Sequence, residues 1–368
     1  YRKFHVQIPT ERSPMHLKTS VLVSLLLLLP TLHSAAQCDL NLEWVEVDAG
    51  DHWSPRSGHT ALVYKDQIWV IGGADATSEY NDVWKSVDGK NWSQVTESAD
   101  WSPRGDHTSV VFDDRLWVIG GYGGGEPKQD VWFSSDGSAW NEATESAAWG
   151  PRYAHASVVF QGAMWILGGK EGQLPSDEVW KSTDGVNWLN VTEKAGWSEY
   201  GLSYLASVVF KDRIWAIEGS SGFTASGLIW SSTDGVDWVS HGPEGAGSSR
   251  FPSVVWRNRI WSMGGNTEGA AGATSNRVLN STDGITWMEN RPDQIWSTRD
   301  SFPAVVHQDK IWVLGGRHSD PPIGFRSLSD IWYSQPAYKR SDMNQDGCVD
   351  HNDLILFQQE WYRDSAGD

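Results

Sequence analysis

Two short apolar runs separated by a polar pair recur along the chain. In HTALVYKDQIWVIGG the runs flank Lys65 and Asp66, and HASVVFQGAMWILGG repeats the arrangement. Runs of this kind, rich in β-branched and aromatic residues and joined by turn residues, are typical of a strand, a tight turn and a second strand. The pattern therefore predicts an all-β chain built from hairpins.

A double glycine at the end of each hairpin marks a repeat, with spacings of 48, 48, 50, 46 and 51 residues. The six copies are Gly72/Gly73, Gly120/Gly121, Gly168/Gly169, Glu218/Gly219, Gly264/Gly265 and Gly315/Gly316. A tryptophan precedes each copy at a fixed offset: Trp69, Trp117, Trp165, Trp215, Trp261 and Trp312. Six copies of one unit predict a repeat architecture.

Two further strands follow each hairpin. The third is marked by DVW, DVW, EVW, LIW, RVL and DIW, and five units then carry Ser-x-Asp-Gly-x-x-Trp. In such a turn the Asp accepts hydrogen bonds from its own backbone amides, while the Gly adopts a positive φ. Four strands in about 48 residues are typical of a propeller blade, so six units predict a six-bladed β-propeller.

The sixth unit lacks a fourth strand, because PAYKRSD follows its third strand without an Asp-Gly turn. The segment NLEWVEV, from Asn41 to Val47, matches the fourth strands of other units and places Trp44 where Trp92 and Trp188 stand. The sequence therefore predicts that an N-terminal strand closes the last blade.

The double glycine, the following Trp and the four strands per repeat resemble the kelch family, and the Asp-Gly turns resemble the Asp-box of bacterial propellers. The resemblance runs from Asn41 to about Tyr338. It implies a propeller domain over residues 37–338. One fold hosts many functions, so the resemblance specifies the architecture more closely than the activity.

The N-terminal residues 1–36 are expected to lie outside that domain. After Lys18 comes an apolar run from Val21 to Leu29 and then small residues up to Ala36, a pattern typical of an export signal cleaved after Ala36. The run is shorter than the roughly 20 apolar residues that a membrane span needs. We therefore expect no membrane span, and a secreted, periplasmic or cell-surface protein.

A formal net charge of −18 narrows the classes of partner. Such a charge repels the phosphate backbone of nucleic acids and attracts cationic ions or ligands. The sequence therefore predicts no nucleic-acid partner.

The connections between blades carry the candidate ligand-binding residues. WSPRSGH, WSPRGDH and WGPRYAH repeat an Arg and a His, and the sixth blade keeps the Arg. These candidates are Arg56, His59, Arg104, His107, Arg152, His155 and Arg299. As a partial ring of positive charge they would capture a carboxylate or an acidic sugar; alternatively, they satisfy backbone carbonyls between blades.

Tryptophans in the same connections also permit two interpretations. They are Trp53, Trp101, Trp149, Trp197 and Trp296. If exposed they would stack on sugar rings, and otherwise they would pack between blades.

Some kelch-type propellers are sugar oxidases or sialic acid mutarotases, so the resemblance also covers enzymes. A copper-radical oxidase joins a Tyr to a Cys, whereas Cys38 and Cys348 both lie outside the repeats. A sugar isomerase or lyase would pair Arg104 with Asp106, or Arg299 with Asp300, at the channel mouth. The leading hypothesis, with no catalytic residue assigned, is a binding or adhesion scaffold for a glycan or an extracellular protein. An enzyme and a structural spacer of a surface assembly are the alternatives.

A calcium site is predicted after the repeats, where DMNQDGCVDHND has the oxygen-ligand spacing of an EF-hand loop. Its ligands are the side chains of Asp342, Asn344, Asp346, Asp350 and Asp353 and the backbone carbonyl of Cys348. With the amphipathic helix LILFQQEW, the loop resembles half of a dockerin repeat. The resemblance implies a Ca²⁺-binding tail over residues 339–368 and, for paired repeats, a cohesin-like anchor.

The two cysteines, Cys38 and Cys348, lie near the two ends of the predicted ring. In an oxidising compartment they are candidates for a disulfide. The bond would close a long loop, for which the chain-entropy model gives roughly 5 kcal/mol of stabilisation.

Overall fold

The computed structural model describes most of the repeat region and one short helix, at residues 354–359. The described residues are 42–172, 174–199, 201–221, 227–242, 248–267, 273–292, 294–320, 324–336 and 354–359. The expected export signal, the two cysteines and the calcium loop lie outside these ranges. All described strands belong to one compact unit, within residues 40–337.

Six four-stranded antiparallel sheets form the blades of a propeller, as the sequence predicts. The chain starts with β1 (Leu42–Glu46), which belongs to the last blade. Blade 1 holds β2 (Thr60–Tyr64), β3 (Gln67–Ala74), β4 (Glu79–Ser86) and β5 (Trp92–Thr96), and blade 2 holds β6 (Thr108–Phe112), β7 (Arg115–Gly123), β8 (Glu126–Ser134) and β9 (Asn141–Thr144).

Blades 3 and 5 each carry an additional two-stranded sheet. Blade 3 holds β10 (Ala156–Phe160), β11 (Ala163–Leu167), the pair β12 (Lys170–Glu171) and β13 (Leu174–Pro175), then β14 (Val179–Ser182) and β15 (Leu189–Thr192). Blade 4 holds β16 (Ala206–Phe210), β17 (Arg213–Ile217), β18 (Ile229–Ser232) and β19 (Val239–Ser240). Blade 5 holds β21 (Ser253–Trp256), β22 (Arg259–Met263), β24 (Val278–Ser281) and β25 (Met288–Asn290), beside the pair β20 (Ser248–Ser249) and β23 (Asn266–Thr267).

Blade 6 confirms the predicted closure of the ring by both ends of the chain. Its sheet order is β1, β28 (Gly324–Pro336), β27 (Lys310–Asp320) and β26 (Ala304–His307). Strand β1 runs antiparallel to β28, with Trp44 opposite Ser334. The last blade is therefore a sheet made from two segments that are distant in sequence.

Trp44 occupies in blade 6 the place that a fourth-strand tryptophan occupies in other blades. It packs edge-on against Trp296, with ring centroids 5.7 Å apart. Trp101 and Trp140 form the same contact at 5.8 Å, as do Trp53 and Trp92 at 6.3 Å. The predicted alignment of Trp44 with Trp92 is confirmed.

The Asp-Gly turns have the predicted geometry, as the turn at Asp184 shows. Its carboxylate accepts backbone hydrogen bonds from Val186 and Asn187 at 2.9 and 2.8 Å. Gly185 has φ 76°, and a Cβ there would collide with the ring of Trp117 in the preceding blade. In each of the five turns the glycine packs directly on the tryptophan ring of the preceding blade, so a residue with a side chain does not fit there.

The closing strand provides a stability test through Trp44→Ala. Trp44 is 3% exposed and lies in the core between blades 5 and 6, so we expect a loss of about 3–5 kcal/mol. The measurement is the thermal midpoint by circular dichroism. Glu46→Ala, an exposed position on the same strand, is the control and should leave the midpoint unchanged. Equal midpoints for the two variants would show that β1 does not hold the ring together.

Candidate functional site

A closed ring of six backbone hydrogen bonds surrounds the propeller axis. One residue from each blade connection donates its N–H to the carbonyl of the equivalent residue in the preceding connection, at 2.7–3.0 Å. The six residues are Gly58, Asp106, Ala154, Tyr204, Arg250 and Ser301, all with φ between 50° and 62°. Five of them have side chains in a left-handed conformation that L residues disfavour. The ring of hydrogen bonds therefore fixes a strained backbone at the channel mouth.

These six residues, called the mouth ring below, lie above a cavity of about 130 Å³. The cavity is lined by the mouth ring together with His59, His107, His155, Leu205, Phe251 and Phe302. Each of these six further residues directly follows a mouth-ring residue in the sequence. Three blades supply His there, while blades 4, 5 and 6 supply Leu or Phe, so the cavity wall is polar on one side and apolar on the other.

The four predicted arginines are buried behind this cavity and are already paired. Arg104 is 0% exposed. It donates to both carboxylate oxygens of Asp130, at 2.6 and 2.7 Å, and to the carbonyl of Gly120 at 3.0 Å. The same clamp recurs as Arg56 on Asp82, Arg152 on Glu178 and Arg299 on Asp330. The geometry supports the interpretation that these arginines hold each connection to its blade.

A pattern in the sequence points to this clamp. The acidic partner is the first residue of the DVW, EVW or DIW motif. Blade 4 has Leu202 in place of the Arg and Leu228 in place of the acid, and blade 5 has Ser248 and Arg277. Both blades that lack the Arg also lack the acid, so a comparison of the six repeats in this chain indicates that the two positions are paired.

The two arginine and carboxylate pairs considered for an isomerase or lyase are not formed. Arg104 turns to Asp130 and Arg299 to Asp330. Asp300 instead accepts from Arg317, with Nε 2.9 Å from one oxygen and Nη2 3.0 Å from the other. Asp130 and Asp330, on the third strands of their blades, each accept hydrogen bonds from two guanidinium nitrogens of the arginine, a bidentate geometry that favours this pairing.

The predicted histidines do line the cavity, but as neutral rings. Burial, with the nearby Arg104 and Arg152 charges, lowers the pKa of His107 and His155 to about 3. Their Nε2 atoms lie 3.1 and 2.8 Å from the hydroxyls of Thr60 and Thr108. Burial also lowers the pKa of His59 well below its usual value. With the arginines paired and the histidines neutral, the expected partial ring of positive charge does not face the cavity.

The connection tryptophans are not a platform for sugars. All five are at most 2% exposed and pack between blades. Trp197 and Trp238, for example, meet edge to face at 5.0 Å. The interpretation that these tryptophans stack on sugar rings is therefore wrong, because the buried rings fill the space beside the fourth strands.

Three mouth-ring residues that the sequence pattern did not single out as a group form a polar cluster. The Arg250 guanidinium lies 3.4 Å from the ring centroid of Tyr204, and the Tyr204 hydroxyl donates to Asp106 at 3.4 Å. Burial opposes the charge on Arg250, but Tyr204, Asp106 and Asp300 outweigh it and raise the pKa of Arg250. Burial and the charge of Asp106 raise the pKa of Tyr204, so its hydroxyl stays protonated.

Lys170 and Tyr153 extend this cluster outward. The Lys170 ammonium lies 5.6 Å from the Tyr204 ring centroid, and burial and the Arg250 charge lower the pKa of Lys170. Tyr153 meets Tyr204 edge-on at 6.4 Å. Two cations thus share this part of the mouth with Asp106, in a protein whose overall charge is strongly negative.

The sequence matches the model of the KLHDC2/KLHL20/DRC7 kelch-repeats domain over residues 34–219, half of the chain. The chain belongs to this kelch-repeat family. No curated protein matches the kelch sequence significantly. The kelch fold matches 528 solved chains; one, described as "Structure of YjhT", has a TM-score of 0.63 and 15% identity, covering 77% of this chain and 95% of that chain. At that identity the likeness shows the fold alone.

Kelch propellers are general binding scaffolds, so membership of the family does not specify a ligand. Within the described residues, no three His, Cys, Asp or Glu side chains converge as a metal site. The same part of the chain contains no helix with the length and apolar character of a membrane span.

The clamp is tested by Asp130→Asn against Asp106→Asn. Removing the Asp130 charge leaves a fully buried Arg104 uncompensated, and we expect a loss of about 3–5 kcal/mol. Asp106→Asn should cost less stability than Asp130→Asn, since Asn tolerates a positive φ, the carboxylate makes one long hydrogen bond, and it acts on the Arg250 charge only from a distance. Chemical denaturation at neutral pH measures both. A stable Asp130→Asn variant would contradict the structural role of the clamp.

The clamp also predicts a pH dependence. Burial raises the pKa of Asp130, but the Arg104 hydrogen bonds and charge outweigh it, so the pKa is lowered. A carboxylate with a depressed folded-state pKa stabilises above its unfolded pKa, near 4, and this stabilisation is lost as the pH falls through the folded value. The difference in the free energy of unfolding between the wild type and Asp130→Asn should therefore become smaller below about pH 4. A difference in the free energy of unfolding that does not change across that pH range would contradict a stabilising ion pair between Arg104 and Asp130.

Proposed function

We propose that this kelch propeller is a secreted binding or adhesion scaffold that recognises an acidic glycan at the mouth of its central channel. The proposal rests on the position of Arg250 and on its lack of a carboxylate partner among the described residues. Arg250 lines the cavity. The four clamp arginines, in contrast, form ion pairs with carboxylates of their own blades. A carboxylate on an extracellular protein is the alternative ligand.

The Arg250 guanidinium is held in place by stacking rather than by a partner carboxylate. It covers the Tyr204 ring at 3.4 Å, and no described acidic group lies within ion-pair distance of it. Arg250 lines the cavity, and Asp106 and Asp300 act on its charge from further away. A guanidinium fixed in this way is preorganised for a carboxylate, because little side-chain freedom is lost on binding.

The groups around Arg250 suit a polyhydroxylated ligand. Asp106 accepts hydrogen bonds, the protonated Tyr204 hydroxyl donates or accepts one, and the Lys170 ammonium adds a second positive charge nearby. Phe251, which follows Arg250, and Phe302 in the next connection add apolar surface to the cavity wall. An acidic sugar combines these features: one carboxylate, several hydroxyls and an apolar ring face.

Acid–base catalysis has less support at this site than binding. A general acid or base works best with a pKa near the ambient pH. His107 and His155 have pKa values of about 3, and the pKa of Tyr204 is raised. These groups keep one protonation state at neutral pH, which favours recognition over proton transfer.

The proposal also includes export and a calcium-binding tail. The N-terminal signal pattern supports secretion, and the six oxygen ligands from Asp342 to Asp353 support a Ca²⁺ loop. The loop would stabilise or anchor the tail outside the cell, where calcium is plentiful.

The ligand site is tested by Arg250→Ala with glucuronic acid as the probe. Losing a charge-assisted pair of hydrogen bonds should weaken binding about 10- to 100-fold. Isothermal titration calorimetry measures the effect, and added salt should weaken wild-type binding. Arg326→Ala, an exposed arginine outside the cavity lining, is the control. Undetectable wild-type binding, or equal affinity in Arg250→Ala, would refute the proposed site.

The tail is tested by calcium titration of the full chain. We expect a dissociation constant on the order of 10⁻⁴ to 10⁻³ M for an extracellular loop of this kind, and no specific heat in Asp346→Ala. Glucuronic acid binding should persist in Asp346→Ala, because the mouth residues do not include the tail. Absence of heat in the wild-type titration would remove calcium from the proposal.

A further inference from the structure

Beside the channel mouth lies a line of three tyrosines, Tyr122, Tyr153 and Tyr204, called the tyrosine strip below. Ring centroids are 5.1 Å apart between Tyr122 and Tyr153 and 6.4 Å apart between Tyr153 and Tyr204. Tyr204 lines the cavity, and Tyr122, on the hairpin of blade 2, is 37% exposed. The strip therefore leads from Tyr204 at the cavity to Tyr122 on the β7–β8 hairpin of blade 2.

Each ring in the strip is held by its hydroxyl. Tyr122 donates to the carbonyl of Gly125 at 2.8 Å, Tyr153 to that of Gly172 at 3.4 Å, and Tyr204 to Asp106 at 3.4 Å. The polar ends are engaged with the protein. What the strip offers to a ligand is mainly the faces and edges of fixed aromatic rings.

The backbone along the strip is also engaged. Tyr122 exchanges both hydrogen bonds with Gly105, and Tyr153 exchanges both with Lys170. An extended peptide bound by strand addition needs free N–H and C=O groups along its path. The strip provides none at these two tyrosines, so a ligand that binds through ring stacking fits better than a peptide strand.

We propose that the tyrosine strip is a subsite for neutral sugar units, so that the ligand is an oligosaccharide whose acidic end occupies the mouth. The inference rests on the proposed function, because Arg250 fixes which end of the chain enters. The cations Arg250 and Lys170 lie at the inner end of the strip, beside Tyr204. The carboxylate thus binds at the axis and the neutral units stack outward on Tyr153 and Tyr122.

Chain length at constant charge is the variable that tests this inference. Suitable probes are glucuronic acid and aldouronic acids, in which one glucuronate is attached to one, two or three neutral xylose units. We expect the affinity of the full-length protein to rise about three- to tenfold from the monosaccharide to the longer members. Isothermal titration calorimetry gives the ratio for each variant.

Variants of Tyr122 separate stacking from other contributions. Tyr122→Ala should remove most of the gain with chain length and leave glucuronic acid binding unchanged, whereas Tyr122→Phe should keep the gain. Phe325→Ala is the matched control, since Phe325 is an aromatic residue 49% exposed on the hairpin of blade 6 and lies outside the strip.

The outcomes distinguish this inference from the proposed function. If affinity is independent of chain length, or if Tyr122→Ala leaves the gain intact, the strip is not a subsite, while Arg250-dependent binding of glucuronic acid still supports the mouth site. A hexaglutamate peptide that competes and depends on Tyr122 would overturn the oligosaccharide as the occupant. If the wild-type protein binds no member of the series, both proposals fail.

Discussion

A four-stranded blade has two apolar faces, and each face is covered by the neighbouring blade on that side. Every blade therefore depends on the closure of the ring. Closure is achieved by one antiparallel pairing, in which β1 completes the sheet of β28 and places Trp44 against Trp296. The mouth ring closes at a different junction, between blades 6 and 1, where Gly58 donates its N–H to the carbonyl of Ser301. The first and last repeats are therefore joined twice, through the β1–β28 pairing and through the mouth ring.

Features that repeat in sequence were predictable because each copy carries its own signal. Hairpins, double glycines and Asp-Gly turns are specified within a few residues, and Trp44 could be aligned because its strand copies the others. The partner of each clamp arginine was not foreseen, since Arg104 and Asp130 lie 26 residues apart and meet only in the folded blade. The clamp left a trace nevertheless, in the joint loss of Arg and acid from blades 4 and 5.

The candidate site was less predictable than the fold, because it consists of departures from the repeat. Blades 4 and 5 have lost the clamp, and they are the blades whose mouth-ring residues are Tyr204 and Arg250. Neither residue belongs to a motif, so a periodic analysis passes over both. Their proximity follows from the ring geometry, which places equivalent positions of neighbouring blades one hydrogen bond apart.

The separation between clamp and mouth explains how an acidic propeller can offer a cation to a ligand. Charges that the fold requires are buried and neutralised pairwise, as in Arg299 and Asp330. Arg250 is stabilised differently, by the face of an aromatic ring and by carboxylates at a distance. Because its hydration is partly lost already in the free protein, a carboxylate that enters the mouth removes little further water from it. The proposed selectivity for an anionic ligand therefore depends on Arg250, a guanidinium that lines the cavity without a partner carboxylate among the described residues.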